Sequence, residues 1–187
     1  MWVFLIIIFI VLFLIIFAYQ KSKQQQQNNN QIEENLKSNG FIIGKALHEG
    51  KNHFLIDDVN HKVYISANDQ NGKIFDYKDI VDFELIEDGQ TLAKGTGGKA
   101  AIGALTFGIA GAIVGASMKK QKNMCTNLQL IITLNDVINS NIVMQLIDSK
   151  WVKDGYDKND IIYKSAFEFA KNVTSALAAI KNQFEIK

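Results

Sequence analysis

Hydrophobic and polar positions divide this chain into four regimes. The first is an uncharged run at residues 2–19, WVFLIIIFIVLFLIIFAY, in which fifteen of eighteen residues are Val, Leu, Ile or Phe. At about 1.5 Å per residue such a helix spans about 27 Å, close to the hydrocarbon thickness of a bilayer. On the insertion scale those fifteen side chains contribute about 5–9 kcal/mol, an upper bound because off-centre positions count less. No basic stretch precedes the run, and no A-x-A-like site follows in Phe17-Ala18-Tyr19-Gln20. The pattern therefore predicts an uncleaved anchor over residues 1–20 rather than a secretory signal. Lys21 and Lys23 come directly after it, which predicts the amino terminus outside and residues 21–187 in the cytoplasm. Trp2 and Tyr19 bracket the segment as interfacial aromatics do.

The second regime is a Gln/Asn-rich polar linker, residues 21–40. Its repetitive part, QKSKQQQQNNNQ at 20–31, predicts a flexible spacer. Residues 32–40, IEENLKSNG, predict a short helix stopped by Gly40. From Phe41 the period shortens to two. The runs FIIGKAL (41–47), HFLID (53–57), KVYIS (62–66), KIFDY (73–77), IVDFELIE (80–87), TNLQLIITL (126–134) and NIVMQLI (141–147) predict about seven strands. Val81, Phe83 and Leu85 alternate with Asp82 and Glu84, so all three are expected on the buried face. Residues 57–60 and Asn71-Gly72 supply turns between runs.

The final regime, residues 159–185, is helical. Ile162, Ala166, Phe169, Val173, Ala176, Leu177, Ile180 and Phe184 recur every three or four positions and make one apolar stripe, with Asn159 or Asp160 as its cap. Helix and strands together predict an α+β chain. Seven short strands closed by an amphipathic carboxy-terminal helix are also the element order of the pleckstrin-homology (PH) superfold, in which the helix plugs one end of a bent antiparallel sheet. That places a PH-like domain at residues 41–187.

Between the fifth and sixth runs lies a Gly/Ala-rich insert, residues 94–122. Its centre reads GTGGKAAIGALTFGIAGAIVGASM, with small residues on two i, i+4 ladders: Ala100, Ala104, Gly108, Ala112, Ala116 and Gly103, Phe107, Gly111, Gly115. Such faces let helices approach closely in membranes. Four glycines cost a helix in water about 4 kcal/mol against alanine. The aliphatic residues return only about 2–4 kcal/mol on the insertion scale, so the segment is a marginal membrane element. Lys94 and Lys99 precede it, Lys119, Lys120 and Lys122 follow, and no carboxylate interrupts residues 89–135. A single crossing would place strands of one sheet on opposite sides of a membrane. A helical hairpin or interfacial segment against an anionic leaflet fits better. A helix sheltered on its own domain or on a partner is the bland alternative.

Residues 74–89, IFDYKDIVDFELIEDG, followed by GAIVGA at 111–116, resemble a family of bacterial proteins common in Firmicutes and their prophages. These carry a PH-like domain interrupted by a glycine-rich hydrophobic insert, and the resemblance covers residues 53–147. It implies a fold and brings no established activity with it. Many relatives bear an amino-terminal zinc ribbon or a carboxy-terminal oligomerisation domain. Neither pattern occurs here, and the anchor stands in place of the ribbon.

Charge and chemistry narrow the rest. Twenty basic residues, all Lys, balance nineteen acidic ones. There is neither a basic signature nor an arginine fork for nucleic acid. The lone Cys125 excludes an internal disulfide and agrees with a reducing compartment. Gly95-Thr96-Gly97-Gly98-Lys99-Ala100 lacks phosphate-loop spacing, and Ala100 stands where a Ser or Thr would bind Mg²⁺. His48, His53, His61, Asp57 and Asp58 lack metal-ligand spacing. The sequence thus predicts no enzyme, no cofactor, no metal and no nucleic-acid partner. It predicts a single-pass bacterial membrane protein with a cytoplasmic PH-like module. That module is expected to bind protein or anionic lipid through Lys94, Lys99, Lys119, Lys120 and Lys122, and to self-associate as a homo-oligomer through Gly103, Gly108, Gly111 and Gly115. The alternative is a membrane-active effector, of phage-exclusion or toxin type, whose insert perturbs the bilayer.

Overall fold

The computed structural model describes residues 2–68, 70–95, 123–138, 140–150 and 152–185. It forms two compact units, Met1–Ile43 and Gly44–Lys187. The first is one helix, α1 (Trp2–Ser38). Side chains 4–17 are exposed on every side of it, the pattern of a lipid-facing helix. Among the described residues it is the one helix long and apolar enough to cross a membrane, judged by length and composition.

The polar segment expected to be a flexible spacer continues this helix without a break. Once the apolar run has formed the nucleus, each further residue adds a hydrogen bond without a new nucleation cost, and Gln, Lys and Glu are good helix formers. Gly40 ends the helix as the sequence suggested. Its φ of +83 lets its N–H reach Lys37 O at 3.0 Å and the Phe41 N–H reach Leu36 O at 3.0 Å, a Schellman cap.

The second unit begins with a four-stranded antiparallel meander: β1 (Lys45–Glu49), β2 (Asn52–Asp57), β3 (Lys62–Ser66) and β4 (Lys73–Asp76). A 3-10 turn, Tyr77–Asp79, leads into β5 (Ile80–Glu87), then β6 (Gln90–Lys94). Beyond the insert come β7 (Met124–Cys125), β8 (Asn127–Leu134), β9 (Asn141–Asp148), β10 (Tyr156–Asp157) and α2 (Ile161–Glu185). The second sheet has the order β6-β5-β8-β9, and β7 pairs with β10 alone. All seven sequence runs contain strand, although the first begins only at Lys45. The structure adds β6, β7 and β10, and it distributes the strands over three sheets where one bent sheet was expected. The 3-10 turn separates β4 from β5 in the chain, so Tyr77 lies in that turn rather than in a strand.

The core lies between the sheets and α2. Phe54, Leu85, Leu128, Leu130, Ile132 and Met144 are fully buried with Val173 and Leu177 of the helix. Two expected core positions are not in it. Val81 is 46% exposed. The β5–β8 register steps between Ile80 and Asp82, so Val81 sits at a bulge that turns it outward while Ile80 turns in. Ile162 is also exposed, and Tyr163 occupies the buried position instead. The remaining helix stripe, Ala166, Phe169, Val173, Leu177 and Ile180, is buried. Phe184 carries no described side chain. The Asp160 carbonyl accepts the Lys164 N–H at 3.0 Å, which puts Asp160 at the cap position.

Candidate functional site

The insert is the one segment the PH-like order does not need, so its two ends are the candidate site. Lys94 closes β6, exposed, and sits opposite Glu84 of β5. The other lysines assigned from sequence, Lys99, Lys119, Lys120 and Lys122, lie outside the described residues, as do Gly103, Gly108, Gly111 and Gly115.

The outgoing end is fixed at Gly95, whose N–H donates to Phe83 O at 2.8 Å. A Cβ there would stand 2.6 Å from Asp82 Oδ1 and 2.8 Å from the Phe83 ring, so no side chain fits without displacing one of them. Upstream, β5 and β6 join through Asp88-Gly89, both with positive φ (+47 and +78), the pair a tight hairpin of this kind requires.

The returning end is held more heavily. Asn123 donates from Nδ2 to Asp157 Oδ1 at 2.8 Å, and its carbonyl accepts the Lys158 N–H at 2.9 Å. β7 then pairs with β10. Asp88 Oδ1 takes three donors from the next residues: Thr126 N–H (2.9 Å), Thr126 Oγ1 (2.6 Å) and Asn127 N–H (2.8 Å). Gly155, at φ +84, passes so near Cys125 that a Cβ would lie 2.5 Å from its carbonyl oxygen. The same residue that turns the β5–β6 hairpin therefore also clamps the segment returning from the insert.

Beneath this clamp lies a buried polar group. The Glu87 carboxylate accepts from Lys158 Nζ on one oxygen and from Tyr163 OH at 2.6 Å on the other. Lys158 and Glu87 are both buried, and Lys158 Nζ stands 5.8 Å from the Tyr163 ring centre. Burial, followed by the bond to Glu87, holds the Tyr163 phenol neutral far above its ordinary range. Burial and the neighbouring Glu87 and Asp88 push the Cys125 thiol up to about 12. Its sulfur faces Asn127 O at 3.5 Å. A thiol so far from ionising is not a nucleophile. No group of three His, Cys, Asp or Glu side chains among the described residues could hold a metal.

None of this cluster was singled out from the sequence except Cys125. Asp88-Gly89 is a hairpin dipeptide that could have revealed β6, which lies outside the seven sequence runs. Nothing local marked the group of Glu87, Lys158 and Tyr163, because Glu87 lies 71 residues before Lys158 and 76 before Tyr163 in the chain.

Two small antiparallel sheets with a carboxy-terminal helix against them, and an excursion that leaves and re-enters the second sheet on either side of one strand, define a PH-like module carrying an insert. A family described as glycine zipper containing PH domain matches residues 37–148, more than half of the chain, and the chain belongs to that family. No curated protein and no solved structure matches it at comparable stringency.

Proposed function

We propose that this protein is a membrane-anchored PH-like module that sets its glycine-rich insert against the anionic leaflet of a bacterial cell membrane, on the cytoplasmic side, and packs insert against insert in a homo-oligomer. One observation carries the reading. β5 is hydrogen-bonded to β6, the last strand before the insert, and to β8, which follows it. Both ends of the insert therefore start from one sheet, and the lysines beside both ends face one side of any membrane. A single crossing is incompatible with that pairing. The family's glycine zipper and the two small-residue ladders support close helix packing. The clamp of Asp88, Asn123 and β10 keeps the returning end in place while the insert engages a surface.

The test is vesicle binding. Residues 32–187, without the apolar run, are expected to bind anionic vesicles and to ignore neutral ones. Binding should fall with salt, because exposed charges are screened within about 8 Å at physiological ionic strength. Replacing Lys119, Lys120 and Lys122 by Gln should weaken it, and Gly108→Leu should reduce self-association without removing charge. Failure to bind anionic vesicles at low salt would overturn the lipid reading.

A further inference from the structure

β4 is an edge strand of the first four-stranded sheet and β9 an edge strand of the second. Between them runs a groove of about 300 Å³, with Ile65, Phe75 and Ile142 among its apolar lining and Gln70, Asn71 and Lys73 among its polar lining. The edge of β9 already accepts a substitute strand over part of its length. Asn68 donates from Nδ2 to Val143 O at 2.8 Å, and its Oδ1 accepts the Gln145 N–H at 3.1 Å. A residue of a neighbouring strand makes this same pair of bonds. Asn68 holds a φ of +55 to do so. Asn52 continues the series, donating to Gln145 O at 3.0 Å and accepting the Asn68 N–H at 3.2 Å.

This amide clamp stops at the Val143 carbonyl. In a strand the N–H and C=O of one residue point to the same side, so the Val143 N–H points outward with its carbonyl, beside the groove. Asn141, two residues earlier, shares that side and is exposed. An unpaired edge of this kind is a template for strand addition. Lys73 is exposed and makes no ion pair among the described residues. Among the described residues of the groove lining it is the one charged side chain, and the charge that complements it is negative.

We propose that the β4–β9 groove binds a short extended peptide with an aliphatic and an acidic residue, added as a strand to β9 at Asn141 and Val143. The peptide backbone pairs with the outward groups of those residues. Its aliphatic side chain enters the lining made by Ile65, Phe75 and Ile142, and its carboxylate meets Lys73 Nζ. This division of labour, main chain for affinity and alternate side chains for specificity, is that of strand-addition modules. The site is separate from the insert and does not depend on the lipid reading.

The experiment is a selection of random displayed heptapeptides on the full chain in detergent micelles. Expected are peptides that combine β-branched residues with Asp or Glu, and that slow amide hydrogen exchange at Val143. Lys73→Glu should weaken them at least tenfold and favour counterparts in which Lys replaces the acid. Val143→Pro removes the outward N–H, a change an edge strand tolerates, and should abolish binding while the thermal midpoint stays within a few degrees. Vesicle binding should be unchanged in both variants. Selection of no peptide that distinguishes the wild type from Val143→Pro overturns the proposal, and so does binding indifferent to Lys73→Glu.

Discussion

At the scale of single residues, two imidazole rings meet where β1 and β2 pair. His48 and His53 lie opposite one another, Nδ1 to Nδ1 at 2.8 Å, with ring centres 5.1 Å apart. One Nδ1 donates and the other accepts, so the contact cannot form with protons on both facing nitrogens. Burial, and next the nearness of His48, hold His53 down at about 4, against 6.5 for a free imidazole. The unfolded chain therefore takes up a proton that the folded chain refuses. Stability is fully present above about pH 6.5 and drains away as pH falls toward 4. Between those limits the wild type should lose about 1–3 kcal/mol more than a His53→Gln variant, as read from denaturant midpoints at several pH values. Equal pH dependence in the two proteins would show that His53 is not the group responsible. A second test uses the buried carboxylate. Glu87→Ala leaves Lys158 buried without its partner and should cost about 3–5 kcal/mol. Replacing Glu87 and Lys158 together by Leu and Met should cost much less, because no charge then stays desolvated.

At the scale of elements, β5 is where the pattern along the chain and the folded structure diverge most usefully. Strict alternation puts Val81 beside Phe83 on the buried face, yet the bulge between Ile80 and Asp82 reverses the parity of everything before it. Phe83→Ala should therefore cost about 3–5 kcal/mol as a large-to-small core change. Val81→Ala should stay within about 0.5 kcal/mol, like other surface substitutions. Thermal or denaturant unfolding of the two variants checks the pair, and equal losses would place both side chains in the core. A bulge is created by long-range pairing with β8, so local periodicity carries no trace of it. The same reasoning covers the Glu87–Lys158–Tyr163 group, which the end of β5 and the distant stretch around the start of α2 assemble. What was legible were features that local chemistry determines: the apolar run, the αL stop at Gly40, the alternating strands and most of the stripe on α2. Ile162 failed because a spacing of three or four fits two neighbouring faces at a helix start, and Tyr163 offered both an apolar ring and a hydroxyl for Glu87. The polar linker failed because composition says what a segment cannot bury, not whether a helix already begun will continue through it.

At the scale of the whole molecule, the question is which side of the membrane each part occupies, and the sheet answers part of it. Lys94 and Asn123 flank the insert and belong to one unit in which β5 pairs on both sides. They must share a compartment whatever the insert does. In the proposed orientation, with Lys21 and Lys23 kept inside directly after the apolar run, that compartment is the cytoplasm. Cysteine labelling reads this directly, because the native thiol is silent: Cys125 is fully buried and its ionisation lies near pH 12. Thiolate is the reactive form, so background at neutral pH is low. Lys94→Cys and Asn123→Cys should both escape a membrane-impermeant maleimide in intact cells, and both should react once the membrane is opened. Labelling of both in intact cells would reverse the orientation and leave the fold untouched. Labelling of one alone would mean that the chain crosses the membrane between β6 and β7, and the sheet that joins β6, β5 and β8 could not then exist.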